Sequence, residues 1–163
     1  MQRRPFLLAT LMAASFLPAL AGAAGDPQVA VKHSIDVDST NGRVLVHLTV
    51  INQGKQTIWI PREVAEGQEL TGRRFDVRAF DNRPLDYTGK MVKRAALTAA
   101  DYQAVAPGKV LKSTIDITSS YAFKEGRHTY NIGYAGPYLA DVNKPDSVAE
   151  SPARPTTFVH SGK

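Results

Sequence analysis

The sequence predicts an all-β protein, built as an antiparallel β-sandwich of about seven strands. Apolar residues alternate with polar ones at period two in several short segments, as in strands with one buried face. Turn-forming pairs such as Asn41-Gly42 and Pro107-Gly108 separate these segments, and no segment of useful length has helical periodicity. This pattern favours a sandwich over an α/β arrangement. A closed barrel is the alternative, because periodicity does not distinguish the two.

The first two strands are expected to form a hairpin. Apolar residues alternate over Val29–Val37 and again over Arg43–Asn52. The pair Asn41-Gly42 between them accepts positive φ angles and favours a tight turn. His33 falls on the buried side of the first strand, and His47 is expected to point to the opposite face.

The rest of the chain supplies further short strands and turns. Strands are predicted at Thr57–Ile60, Phe75–Ala79, Leu111–Ile117, Tyr130–Tyr134 and Thr156–Val159. The polar stretch Pro61–Gly72 and the proline-rich stretch Gly136–Pro155 are expected to be surface loops. Thr98 precedes a pair of alanines, which predicts one short helical turn.

The amino terminus has the three-part pattern of a secretory signal peptide. The basic start Met1–Arg4 leads into the apolar run Pro5–Leu20 and then into small residues up to Ala23. A membrane anchor is the alternative, but the run contains Pro18 and is shorter than the ~20 residues that span a bilayer. We therefore predict a cleaved signal at 1–23 and a sandwich domain at 24–163. The destination is the bacterial periplasm or the medium, with no membrane span after cleavage.

Composition excludes several classes of function. Without Arg3 and Arg4, 18 of the 20 basic residues remain against 15 acidic ones, and they are scattered rather than gathered into a stripe. This balance does not predict nucleic-acid binding. Cysteine is absent, so the core alone must stabilise an exported domain.

The sequence offers no recognisable catalytic constellation. The four histidines form no H-E-x-x-H motif, and neither a nucleophile elbow nor a phosphate-binding loop occurs. His33 and His47 are expected on opposite faces of the hairpin, so a shared metal is not predicted. We expect a non-enzyme without metal or cofactor.

Three residues are expected to be structural. Trp59 lies between two isoleucines in a predicted strand, which is typical of a core position. Tyr130 begins a strand just after a turn, where immunoglobulin-like sandwiches keep a corner tyrosine whose hydroxyl bonds to nearby backbone. Ile132 then occupies the inward position that a disulfide cysteine takes in antibody domains.

The segment Tyr87–Arg94 is the candidate partner-binding site. It combines an aromatic ring, a glycine, an exposed methionine and three cations in Tyr87, Gly89, Lys90, Met91, Lys93 and Arg94. The alternatives are an ordinary solvated basic loop, or a dibasic cleavage point at Lys93-Arg94 if the backbone is mobile.

Eight short segments carry a resemblance to a known family. They are Phe75–Val77, Tyr87–Gly89, Val92–Arg94, Asp101–Tyr102, Ala106–Gly108, Thr114–Ile117, Tyr121–Phe123 and Gly126–Tyr130. In this order and spacing the chain resembles the amino-terminal immunoglobulin-like region of deuterolysin-type and peptidyl-Lys zinc metalloendopeptidases. The resemblance covers Val29–Val159 and implies an immunoglobulin-like β-sandwich.

In that family the sandwich precedes a zinc-carrying catalytic domain. This sequence ends at Lys163, where such a domain would begin, so none of the family's catalytic residues is transferred to it. We expect a free-standing, non-catalytic binding domain whose partner is an exported protein, a protease above all. It would act as an inhibitor or a folding aid, with an edge strand that pairs with an extended peptide.

Two other classes of function compete with this reading. An adhesive module that binds glycan or cell envelope would use aromatic residues in loops, with Tyr87, Tyr102 and Tyr138 as candidates. A metallopeptidase-related enzyme is the third class.

Overall fold

Strands make up most of the ordered elements in the computed structural model, which describes residues 30–93, 97–144 and 146–162. The predicted signal peptide at 1–23 and the candidate residue Arg94 lie outside these ranges. The strands are β1 Val31–Asp38, β2 Leu45–Asn52, β3 Ile58–Pro61, β4 Phe75–Ala79, β5 Tyr102–Val105, β6 Val110–Asp116, β7 Gly126–Tyr134, β8 Pro137–Leu139, β9 Val148–Glu150 and β10 Thr156–Gly162. Helix α1 spans Arg62–Ala65, and a single 3-10 turn spans Ala99–Asp101.

The strands form three antiparallel sheets, which confirms the all-β sandwich. One sheet has the order β1-β2-β6, the second β10-β7-β4, and the third β5-β3-β8-β9. The inward side chains of the first two sheets, such as Leu48 and Ile115 on one and Val77 and Ile132 on the other, belong to one core cluster. Burial of this shared apolar surface is the main stabilising contribution to a sandwich.

The predicted hairpin is confirmed as β1 and β2. Their turn has Asn41 at φ 54° and Gly42 at φ 75°, and the Arg43 N–H donates to the Thr40 carbonyl over 3.0 Å. Positive φ at both central residues is the geometry whose twist matches that of paired strands. The alternation then buries His33, which is 3% exposed.

Both predicted loops contain regular structure, and the described residues form ten strands rather than about seven. The stretch Pro61–Gly72 includes α1 and buries Val64 and Leu70, each at 1% exposure. The stretch Gly136–Pro155 contains the hairpin of β8 and β9. The strands that the sequence did not predict are β5, β8 and β9. Like α1, they have four residues or fewer, which is too short to show a clear periodicity.

Trp59 is not a core residue, so that prediction is wrong. Ile58 and Ile60 point into the core at 5% and 0% exposure, and the alternation of β3 puts Trp59 on the other face, where it is half-buried. It pairs there with Leu139 of β8, which is buried outside the main core cluster. The flanking isoleucines alternate with the tryptophan rather than sharing its environment.

Tyr130 and Ile132 lie in the core at 1% and 0% exposure. The Tyr130 hydroxyl accepts a hydrogen bond of 3.0 Å from the N–H of Lys124, six residues earlier in the chain. This bond ties the connection before β7 to the sheet. No helix in the described part of the chain is long and apolar enough to cross a membrane.

Candidate functional site

We call the segment 87–93 the contact loop. It begins at Tyr87, whose side chain packs against Tyr121 and hydrogen-bonds to main chain. The rings of Tyr87 and Tyr121 meet edge to face, with 5.4 Å between their centroids. The Tyr87 hydroxyl lies 3.0 Å from the Lys90 carbonyl and 3.2 Å from the Leu70 carbonyl, and it donates its single proton to one of them. The ring therefore fixes the start of the loop against the sandwich.

Tyr121 in turn fixes the strand beside the loop. Its hydroxyl donates to the Phe75 carbonyl over 2.7 Å and accepts from the Phe75 N–H over 3.1 Å. Burial raises the pKa of Tyr121 to about 12, so the hydroxyl keeps the proton that it donates. The contact loop is thus connected through two tyrosines to the first residue of β4.

Main-chain hydrogen bonds hold the contact loop on two sides. The N–H groups of Thr88 and Gly89 donate to the Ser120 carbonyl over 3.0 and 3.3 Å. The Val92 N–H donates to the Thr71 carbonyl over 3.1 Å. These bonds anchor the main chain of the contact loop from Thr88 to Val92.

Gly89 is required by the packing of the Tyr87 ring. A Cβ atom at Gly89 would lie 2.7 Å from the Tyr87 hydroxyl oxygen and 2.8 Å from the ring carbon that carries it. Such distances are well inside van der Waals contact, so a larger residue would push the tyrosine away. A role in local structure thus accounts for this candidate residue.

The outward side of the contact loop is apolar with a basic rim. Met91 is 80% exposed and Val92 is 43% exposed. Lys90 lies 3.7 Å from Glu69, in a pair exposed to solvent, and Lys93 is exposed. Exposed apolar groups grouped on one ordered loop can contribute to a contact with another macromolecule.

A buried ion pair supports the chain next to the contact loop. The Glu63 carboxylate accepts hydrogen bonds from the Thr71 hydroxyl at 2.6 Å and from the Thr71 N–H at 3.2 Å, and it pairs with Arg74. Burial alone would raise the pKa of Glu63, but the bonds from Thr71 and the charge of Arg74 outweigh it and lower the pKa. The ionised carboxylate thereby holds Thr71, to which the loop is bonded.

The histidines do not converge on a site. His33 is buried, whereas His47 is exposed and shares a hydrogen bond of 2.9 Å with the Thr114 hydroxyl. His128 is exposed, and His160 shares a hydrogen bond of 2.8 Å with the Ser39 hydroxyl. Within residues 30–93, 97–144 and 146–162, no group of three or more His, Asp or Glu side chains could hold a metal ion.

Two exposed aromatic features were missed by the sequence analysis. Phe80 is 78% exposed at the turn after β4, where its N–H donates to the Thr129 carbonyl. Continuing the alternation of Phe75, Val77 and Ala79 by one residue would have placed it on the outer face. The second feature is the outer side of the sheet β5-β3-β8-β9.

That outer side carries a row of apolar side chains. Trp59 is opposite Ala104 of β5 and Leu139 of β8, and Leu139 is opposite Val148 of β9. Residues directly opposite each other in a sheet share a face. Val148 is 55% exposed and Tyr102, next along this face, is half-buried. Tyr138 lies on the other side and packs against the core, so it is not a loop aromatic.

Comparison with known proteins gives one distant relationship to a protease. The "Extracellular protease" of Aeromonas hydrophila is 28% identical to this chain over 123 residues, or 76% of the chain. The chain spans only 35% of the length of that protein. The chain is therefore similar to part of an extracellular protease. No family model matches the chain.

Similar solved structures are distant. The structural-genomics target SoR45 is 11% identical with a TM-score of 0.44, and the match covers 82% of this chain and 88% of that chain. The yjhA protein from Bacillus subtilis is 13% identical with a TM-score of 0.37, and the match covers 82% of this chain and 92% of that chain. Likenesses this weak carry no inference about function.

Proposed function

We propose that this is a non-catalytic accessory domain that binds an exported protease and inhibits it or assists its folding. The observation that carries the proposal is the match of 123 residues to about a third of an extracellular protease. A match of this extent fits a domain that accompanies a catalytic unit. The more specific assignment, to the amino-terminal region of deuterolysin-type and peptidyl-Lys metalloendopeptidases, is part of the same proposal, as is export with cleavage near residue 23.

The contact loop is the surface that we assign to the partner. Its main chain is already held by Ser120 and Thr71, so little conformational entropy is lost when Met91 and Val92 are covered. Apolar groups in the centre of a contact with cations at its rim are the usual arrangement of protein interfaces. Lys90 and Lys93 supply that rim.

The test uses the Aeromonas hydrophila protease from which the segment matching this chain has been deleted. Binding of the full chain to it is measured by calorimetry. Its casein hydrolysis is measured before and after refolding with the chain present. We expect binding, together with inhibition of the folded protease or a higher yield of refolded enzyme. Absence of binding and of both effects would overturn the proposal.

Two variants test the surface itself. Met91→Glu and Val92→Glu each place a charge in the centre of the proposed contact, and we expect each to weaken binding by at least about tenfold. The matched control is Val110→Glu, because Val110 is 51% exposed and lies at the start of β6, the end of that strand opposite to the turn that leads to Ser120. If the control weakened binding as much as the other two, the contact loop would not be the binding surface.

A second candidate function is recognition of glycan, favoured by the outer face that carries Trp59. Tyr102 lies diagonally across from Trp59 on the same face, and aromatic rings on one face can stack against the apolar faces of sugar rings while the Tyr102 hydroxyl supplies a polar group. Affinity electrophoresis in soluble polysaccharide should then show retardation that Trp59→Ala abolishes and Phe80→Ala preserves. Unretarded migration of the unmodified protein would eliminate this candidate.

A further inference from the structure

Among the described residues, the outer edge of β1 is not paired with another strand. The neighbour of β1 in its sheet is β2, and the bond from the Gln53 N–H to the Ala30 carbonyl fixes which residues face it. In an antiparallel ladder alternate residues bond to the neighbour, so Lys32 and Ser34 direct their main-chain groups to β2. The main-chain groups of Val31, His33 and Ile35 therefore point outward.

The segment Ser151–Thr156, which we call the strap, crosses this edge without pairing with it. The N–H groups of Ser151 and Ala153 donate to the carbonyls of Gly136 and Tyr134 over 3.0 and 2.9 Å. Pro152 and Pro155 have no N–H to donate. The main chain of the strap is thus used elsewhere, and none of its N–H groups bonds to β1 among the described residues.

Two side-chain hydroxyls connect the strap to β1 instead. Ser151 donates to the Val31 carbonyl over 2.6 Å and Thr156 donates to the Ile35 carbonyl over 3.2 Å. His33 lies between these two points. The register turns its main-chain N–H and carbonyl away from β2, and neither group bonds to other main chain outside the sheet within the described part of the chain. They constitute one free donor and one free acceptor of the kind that an added strand uses.

A cleft of about 650 Å³ lies between β1 and the strap. Lys32 and Arg154 contribute cations to its lining, and Gln53 contributes an amide. None of the described residues that line it is Asp or Glu. Its volume falls in the range of about 300–1,000 Å³ that is usual for ligand clefts.

We propose that this cleft binds an extended peptide that carries an acidic side chain. The peptide pairs through its main chain with the free groups of His33, and its carboxylate lies between Lys32 and Arg154. Pairing with an exposed edge supplies the affinity, and the charge pair selects the peptide. The charge of the lining identifies the occupant as acidic, and the free main-chain groups identify it as polypeptide. The inference rests on the proposed function in assuming a protein partner.

The test uses the full chain and three labelled peptides. The first is acetyl-Thr-Val-Glu-Val-Thr-amide, and the second has Lys in place of Glu. The third is the first with an N-methyl group on each valine amide, because in an antiparallel pair a valine lies opposite His33 when the Glu side chain is on the Lys32 face. We expect the acidic peptide to bind in fluorescence anisotropy and to slow hydrogen exchange of the His33 amide. The basic and the N-methylated peptides should bind at least about tenfold more weakly, because each loses one of the two proposed interactions.

Charge variants locate the site without disturbing the core. Lys32→Glu combined with Arg154→Glu should weaken binding of the acidic peptide at least about tenfold and strengthen that of the basic peptide. Lys112→Glu on β6 is the matched control and should leave both affinities unchanged. Circular dichroism establishes that each variant is folded. Equal binding of the three peptides, no binding of the acidic one, or an unchanged His33 amide would each overturn the proposal.

This outcome is separable from that of the accessory-domain proposal. If the protease binds through Met91 but the acidic peptide does not bind, only the cleft proposal fails. If the peptide binds with the expected selectivity but the protease does not bind, only the accessory-domain proposal fails.

Discussion

The two outer edges of the sheet β1-β2-β6 are covered in different ways. At the β6 edge, α1 and the turn after it pack directly against the strand. A Cβ atom on Gly67 would lie 2.2 Å from the Thr114 carbonyl oxygen, and the Ser113 hydroxyl donates to the Val64 carbonyl over 2.5 Å. At the β1 edge the strap makes contact through two hydroxyls and leaves a cleft. One edge is closed, and the other keeps free main-chain groups.

The ionisable groups beneath the two covers also differ. Glu63 is ionised and paired with Arg74 in the cover of β6. On β1, the buried ring nitrogens of His33 have no hydrogen-bond partner among the described residues, and burial lowers the pKa of His33 to about 4 although the nearby Ser151 backbone partly opposes this. The closed edge therefore depends on the ionised Glu63 carboxylate, whereas the open edge depends on a neutral His33 ring. Natural proteins usually cover the edges of their sheets, because an open edge can pair with another chain. The incomplete cover of β1 is therefore the difference that the following predictions test.

The largest effect is expected from Gly67→Ala at the closed edge. Gly67 has φ +66°, which costs a non-glycine residue about 1–2 kcal/mol. The added methyl group would also meet main chain of β6 rather than a side chain that can move. We expect the free energy of unfolding to fall by about 4 kcal/mol in urea denaturation, since overpacking adds about 1–3 kcal/mol.

The control for this substitution is Gly108→Ala. Gly108 has a similar φ of +71° but nothing within 4 Å of an added Cβ. It should lose only the backbone contribution of about 1–2 kcal/mol. Equal losses for the two variants would show that β6 is not tightly covered, and the contrast between the two edges would then be wrong.

Arg74→Met should destabilise the protein by about 3 kcal/mol at pH 7, because it removes a cation that pairs with the buried Glu63 carboxylate. The pKa of Glu63 is lowered in the folded protein, so its contribution is present above the ordinary value of 4.5 and is lost as the pH falls below it. Urea denaturation at pH 7 and pH 3.5 measures this. The variant should approach the parent at the lower pH, and a constant difference would contradict the role of the charge.

His33 at the open edge should make the free energy of unfolding depend on pH, in a range above the one in which Glu63 acts. The folded pKa of about 4 is below the unfolded value of 6.5, so the unfolded chain binds more protons between these values. Stability is therefore complete above pH 6.5 and falls by about 3 kcal/mol as the pH decreases to 4. His33→Leu should remove most of this dependence. His128→Gln, an exposed control, should keep it, and burial also lowers the pKa of His160, which leaves a residual slope.

The main sandwich could be predicted from the sequence because its strands are long enough to show alternation. In β2, four inward residues alternate with outward ones, and the pair Asn41-Gly42 has turn chemistry of its own. Helix α1 and strands β8 and β9 could not be predicted, because four or three residues contain less than two periods. Their formation depends on packing against β6 and on pairing with Trp59, both of which are long-range.

The sequence predicted the contact loop from its residue types alone. The structure shows which of these residues are packed and which are exposed. Tyr87 and Gly89 form one packed unit, whereas Met91 is exposed. The cleft at β1 had no signal of its own in the sequence. It arises because prolines 120 residues away prevent the strap from pairing with the strand, and only the fold brings these segments together.

The smallest effects should come from the hydroxyls that connect the strap to β1. Ser151→Ala removes a short buried hydrogen bond, and we expect a loss of about 1 kcal/mol in the free energy of unfolding. Thr156→Val removes the longer, partly exposed bond and should cost about half as much. The strap stays in place in both variants because Gly136 and Tyr134 still hold its main chain. If Ser151→Ala cost as much as Gly67→Ala, the strap would be closing the edge, and β1 would be no more open than β6.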